Sequence, residues 1–196
     1  MATAEREAEF YRIVDIPIPD GLFIEAGSFD VLPGDKLAVG TRRAAGSVAA
    51  TADFVRRSGA KIGVIWVDAH GDMNTPASSG SGNVHGMPLA ALLGPEPAEL
   101  SKIGARSPKV RADRKVLIGI RNLDTLEKEQ IKAAKVQVFT MKDIDRHGIA
   151  AVMKRALQIA GKDAHGIHVS FDLDVCDPTI APGVGTPVKG GLDYRE

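Results

Sequence analysis

The chain has 196 residues, enough for one sizeable core and short for two, with 44% hydrophobic and 26% charged side chains, the balance of a soluble globular domain. Its 25 basic and 25 acidic residues cancel, so net charge points to neither nucleic acid nor an anionic membrane as a partner. The single cysteine, Cys176, excludes an intrachain disulfide and a multi-cysteine zinc site and reads as a small buried filler.

Residues 1–9 are charged with no apolar signal core behind them. No apolar run reaches the ~18 residues needed to span a bilayer, so a cytoplasmic location is expected. A helical pattern covers residues 44–57, and the mostly β-branched and aromatic run at 62–67 predicts a strand. Apolar runs at 116–120, 136–139 and 167–171 predict three more, and their two-sided apolarity suits a buried parallel sheet. Helical patterns fill the intervals at 125–134 and 149–161, where Ile149, Val152, Ala156 and Ile159 fall at helical spacing. Strands alternating with helices predict one doubly wound α/β sheet. No internal repeat, low-complexity tract or long linker interrupts it.

In such sheets ligands sit beyond the carboxyl ends of the strands. Chemistry is therefore expected in the loops that begin at Asp68, Arg121 and Asp172. After the first strand come Asp68, His70 and Asp72, and after the fourth come Asp172 and Asp174. While the chain stays extended, this period of two points each set to one side. Four packed carboxylates would repel and take up protons unless a multivalent cation lay between them. Oxygen-rich ligation with one imidazole and no thiolate favours manganese or magnesium over structural zinc, and that many carboxylates can serve two ions.

The motifs Trp66-Val67-Asp68-Ala69-His70-Gly71-Asp72-Met73-Asn74-Thr75-Pro76 and Ser81-Gly82-Asn83-Val84-His85-Gly86 resemble the arginase signature. Further on, Ser170-Phe171-Asp172-Leu173-Asp174, Asp177-Pro178, Pro182-Gly183-Val184-Gly185-Thr186-Pro187 and the terminal Gly190-Gly191-Leu192-Asp193-Tyr194-Arg195-Glu196 match the family's other motifs in order. The resemblance runs from about Pro33 to the end, which divides the chain into a divergent segment, 1–32, and a partial arginase-like domain, 33–196.

What the resemblance implies is a binuclear manganese ureohydrolase of three-layer α/β/α architecture, shared with metal-dependent deacetylases. It makes Asp68, His70, Asp72, Asp172 and Asp174 metal ligands, with Asp68 and Asp172 bridging. Asn74, Ser79, Ser81 and Asn83 resemble contacts to the amino-acid end of the substrate, L-arginine, and Asp124 resembles the acidic residue that binds its α-amino group, with Glu127 a weaker match. Thr186 resembles a threonine near bound substrate, and as a bare sequence feature reads equally as a turn residue. His85 resembles the proton shuttle at the site mouth, a task suited to an imidazole near neutral pH. The implied reaction is hydrolysis of L-arginine to L-ornithine and urea, by a homo-oligomer that is a trimer or hexamer in the family. His147, His165 and His168 read as structural.

Two departures accompany the match. The family's Gly-Gly-Asp-His motif supplies a histidine ligand, but the corresponding stretch here, Pro33-Gly34-Asp35-Lys36-Leu37-Ala38-Val39-Gly40-Thr41, has none, and Lys36 stands nearest to its place. One of the two ions is therefore expected to bind weakly. Residues 1–30 stand where the family has its opening strands, and family members continue past Glu196. An incomplete fold with exposed sheet edges and little activity is the expectation. An impaired remnant that binds metal or a partner chain is the competing class. An agmatinase or a deacetylase is a further alternative, opposed by Ser81-Gly82-Asn83, since agmatine has no α-carboxylate to hold.

Overall fold

The computed structural model describes the backbone of residues 26–32 and 36–41, and residues 62–94, 96–103 and 107–196 with their side chains. The expected helix at 44–57 lies outside the described residues. Strands β1, Ala26–Leu32, and β2, Lys36–Thr41, form an antiparallel hairpin. The expected boundary between residues 32 and 33 falls between its two strands.

The central sheet is built from β3, Ile62–Val67, β4, Lys115–Ile120, β5, Gln137–Thr140, and β6, Gly166–Phe171. Its spatial order is β5-β4-β3-β6, and all its pairings are parallel. Between β3 and β4 run two short helices, α1, Pro88–Leu93, and α2, Ala98–Ser101. Helix α3, Thr125–Ala133, joins β4 to β5, and α4, Met141–His147, with α5, Ile149–Ala160, joins β5 to β6.

Alternation along β3 sorts its side chains between two cores. Val64 and Trp66 join Leu89 and Leu92 of α1, Leu100 of α2, Leu117 of β4 and Ile131 of α3 on one face. Ile65 and Val67 join Val116, Ile118, Ile144 of α4, and Val152, Ala156 and Ala160 of α5 on the other. With helices on both faces the result is the three-layer α/β/α arrangement.

Strands β3 and β4 are buried along their whole length, as two-sided apolarity requires. The expectation of full burial fails for the outer strands. In β6, Val169 is 51% and Phe171 44% exposed, because β6 has a described sheet neighbour, β3, on one side alone. Cys176 is half-buried rather than buried, at the margin of the α4/α5 core. No described helix is long and apolar enough to cross a membrane.

Local signals set the helix starts. At α3 the Glu127 carboxylate reaches back to the Asp124 N–H at 3.3 Å. At α4 the Asp143 carboxylate accepts from both the N–H and the hydroxyl of Thr140 at 2.7 Å. Each satisfies a donor that the first helical turn leaves orphaned.

Candidate metal centre

Parallel pairing of β3 with β4 and β6 brings two acidic loops to one end of the sheet. The ladder continues one step past the strands: Asp68 N–H donates to the Ile118 carbonyl at 3.0 Å and Asp172 N–H to the Val67 carbonyl at 2.8 Å. Beyond that step both loops turn. Asp72 adopts φ 51°, a left-handed conformation that Asp tolerates better than most residues. Residues 173–175 form a 3-10 turn in which the Asp172 carboxylate accepts the Asp174 N–H at 2.9 Å. The expected period-two presentation is thereby corrected, because neither loop stays extended; tight turns aim Asp174 and redirect the chain at Asp72.

Asp68, His70 and Asp174 each offer a ligand atom, all within 4.8 Å of one another. The His70 Nδ1 lies 2.9 Å from an Asp174 oxygen and 3.5 Å from an Asp68 oxygen. Their orientations are fixed by donors around them. The Trp66 indole N–H donates to Asp68 at 3.1 Å and the His70 N–H donates to it at 2.6 Å. The Ala69 N–H and the Thr186 hydroxyl donate to Asp174 at 3.1 and 3.0 Å. Donors that lock a ligand carboxylate in one pose are the usual second half of a metal site.

The electrostatics describe a cluster short of positive charge. Burial, with the nearby charges of Asp174 and Asp172, pushes the Asp68 carboxyl up to about 7 against the hydrogen bonds from His70. Burial and the Asp174 charge push Asp172 up to about 6. Asp72 is held well above the ordinary carboxylate range by burial and by Asp68 and Asp172, so it belongs to the same field although its ligand atoms fall outside the tight group. Burial lowers the His70 pKa, but hydrogen bonds to Asp174 and Asp68 prevail and raise it to about 10. Asp174 is the exception among the acids: burial opposes it, yet the His70 hydrogen bond and charge keep its pKa below the usual value. Several buried carboxyls sharing one imidazole fit a divalent cation, and the oxygen and nitrogen donors without thiolate fit manganese or magnesium.

The remaining candidate residues surround this group. Asn74 is buried, and its amide donates to Asp124 at 3.1 Å and accepts from Ser78 at 2.9 Å. This links the loop after β3 to the start of α3. Ser79, Ser81 and Asn83 lie in a turn closed by Gly82 N–H to the Ser79 hydroxyl at 2.9 Å and Asn83 N–H to the Ser81 hydroxyl at 3.2 Å. His85 is half-buried on the 3-10 turn Val84–Gly86, which is tied down by Asn74 N–H to the Gly86 carbonyl at 3.0 Å. Thr186 is no idle turn residue, since its hydroxyl contacts Asp174.

Three residues act as supports that the sequence did not reveal as such, Glu127 having been read there as a weaker match to a substrate contact. Glu127, 4% exposed, accepts the Met73 N–H at 3.0 Å and binds α3 to the loop after β3. Asp177 closes the 177–191 loop by accepting Gly190 N–H at 2.7 Å, and that bond with those from Thr179 holds its pKa low. Arg121 donates to backbone carbonyls of residues 174–176. The available signal for Arg121 was a lone arginine ending a buried strand.

Comparison with known proteins matches residues 39–196 to the family model described as Arginase family. The arginase of Brevibacillus brevis is 48% identical over 171 residues, covering 87% of this chain and 55% of that protein. The arginase of Bacillus caldovelox is 44% identical over 196 residues, covering all of this chain and 60% of that one. The solved native structure of the Bacillus caldovelox arginase superposes with a TM-score of 0.71 at 47% identity, over 78% of this chain and 50% of that chain. The chain thus spans about half the length of the relatives it matches. The acidic loops at adjoining strand ends, the fold and the family match agree, and the chain belongs to the arginase family.

Proposed function

We propose that this chain carries the metal-binding half of a site that hydrolyses L-arginine to L-ornithine and urea. The observation that carries the proposal is the convergence of Asp68, His70 and Asp174 at the ends of two adjoining parallel strands, in a chain of the arginase family. Asp68, His70, Asp72, Asp172 and Asp174 would together hold the manganese, with Asp68, His70 and Asp174 forming the tight group. When bound, manganese supplies the charge that makes water a nucleophile near neutral pH. The chain's own residues then position and protonate. The Asn74–Asp124 pair, joined at 3.1 Å, orients the amino-acid end of the substrate. Ser79, Ser81 and Asn83 offer neutral hydrogen-bonding groups to its α-carboxylate, and His85 returns a proton to the departing amine.

Activity is expected to be low, because no histidine stands in residues 33–41 and the second ion lacks that ligand. Urea release from L-arginine and from agmatine, with manganese added, tests the proposal. L-arginine is expected to be the better substrate, and Lys36→His to raise its rate by about tenfold or more, in line with the effect of restoring one metal-site interaction. Faster release from agmatine would overturn the substrate, and release independent of manganese would overturn the mechanism.

A further inference from the structure

We infer that Arg121 is a positioning residue of the metal centre, a clamp whose guanidinium fixes the Asp172–Asp174 turn and the Thr186 loop against the end of β4. The inference rests on the metal-binding site proposed above. Metal affinity requires ligands from the loops after β3 and β6 to keep one relative geometry, and Arg121, which belongs to neither, touches both. Its backbone N–H donates to the Ala69 carbonyl at 3.0 Å, beside ligands Asp68 and His70. Its side chain enters a cage of carbonyls. Nη2 donates to Asp174 at 2.7 Å, Cys176 at 3.2 Å and Val188 at 2.6 Å. Nη1 lies 3.0 Å from the Val175 carbonyl and 3.4 Å from that of Gly119, and Nε donates to Val188 at 3.2 Å.

The backbone is shaped for this contact. Strict alternation along β4 would place Arg121 with Leu117 on the α1/α3 face. The pairing of β4 with β5 instead shifts register between Ile118 and Ile120, and the intervening Gly119 takes φ 88°. That irregularity sends Ile120 to the face of Leu117 and turns Arg121 toward Val175 and Cys176, the re-aiming that bulges perform beside functional sites. A Cβ at Gly119 would stand 2.4 Å from a Val175 methyl, and one at Gly191 would stand 2.6 Å from Arg121 Nη2, so both positions are kept bare around the clamp. The positive charge also lies close enough to Asp174, Asp177 and Asp68 to interact with them, partly offsetting their mutual repulsion. A lysine could supply the charge but not the planar fork that reaches carbonyls on several sides at once.

Two measurements on the full chain test this, using Arg121→Lys and Arg121→Met. Amide hydrogen exchange without manganese reads the clamp directly. In Arg121→Lys, exchange at residues 174–177 and 190–192 is expected to quicken by about tenfold or more, while β3 and β4 keep their protection. Manganese affinity in the same variant is expected to fall by about 10–100-fold with an unchanged melting temperature of the metal-free protein. Should Arg121→Met fail to fold, Arg121→Lys still decides the matter. Unchanged exchange in residues 174–192, or unchanged manganese affinity with the loops loosened, would overturn the positioning role. Absence of manganese binding in the unsubstituted chain would overturn the proposed metal site itself, and the exchange data would then still judge whether the clamp exists.

Discussion

Asp68 sits where burial and two neighbouring carboxylates favour its protonated form while His70 favours its ionised one, and the balance leaves its pKa near 7. Asp172, near 6, and His70, near 10, also hold protons that a cation must displace. Metal binding therefore releases protons, and affinity must rise with pH as the acids ionise. Manganese affinity is expected to be more than about tenfold higher at about pH 8 than at about pH 6, and a flat profile across that window would count against the ligand assignment. At the far end of the sheet Lys115 poses the opposite problem. It is 1% exposed, its Nζ has no hydrogen-bond partner among the described residues, and burial pushes its amine well below the usual lysine range. At neutral pH the unfolded chain binds a proton that the folded site disfavours, so folding is destabilised there and recovers as pH rises toward the lysine range. Lys115→Met is expected to stabilise by about 1–3 kcal/mol at neutral pH, a gain that shrinks in alkaline denaturation curves; destabilisation at neutral pH would show that the amine has a partner. The sequence concealed this burial, because lysine at a strand start is ordinarily a solvated residue.

Helix α3 is joined to the site through Glu127, whose two oxygens accept Met73 N–H at 3.0 Å and Asp124 N–H at 3.3 Å. Glu127→Ala would leave both donors without their partner and is expected to cost about 1–3 kcal/mol by chemical denaturation. A neutral result would mean that water replaces the carboxylate without loss. The elements that the sequence revealed were those whose patterns run long enough to be seen. The apolar run 62–67 is β3, and the pattern at 149–161 is α5, Ile149–Ala160. Helices α1, α2 and α4 escaped because 6, 4 and 7 residues give at most two turns, too few for a period of 3.6 to declare itself. In the site, the strand-end positions of Asp68, His70 and Asp174 were legible. The left-handed Asp72 and the 3-10 turn at 173–175 were not, since period-two reasoning assumes an extended chain. Arg121 was invisible as a clamp because the carbonyls it holds at residues 174–176 and 188 lie 53 to 67 positions away.

Across the whole molecule, the layered core positions the acidic loops, and the weak flank is β6. Val169 and Phe171 of β6 are 51% and 44% exposed and Leu173 in the turn that follows is 47% exposed, an apolar patch at an outer strand of the kind that promotes aggregation. Replacing Val169 with Thr and Phe171 with Lys together is expected to delay heat-induced light scattering; unchanged scattering would place the aggregating surface elsewhere. The family match and the strand-end geometry support a metal site at Asp68, His70 and Asp174, and the central proposal is that the ion is manganese. The most direct test is a manganese titration followed by electron paramagnetic resonance of the free ion, on the unsubstituted chain and on Asp68→Asn and His70→Ala. Saturable binding of nearer one tightly held ion than two per chain, weakened by about tenfold or more in both variants, is the expected result. Equal binding in all three proteins, or none in the unsubstituted chain, would contradict it.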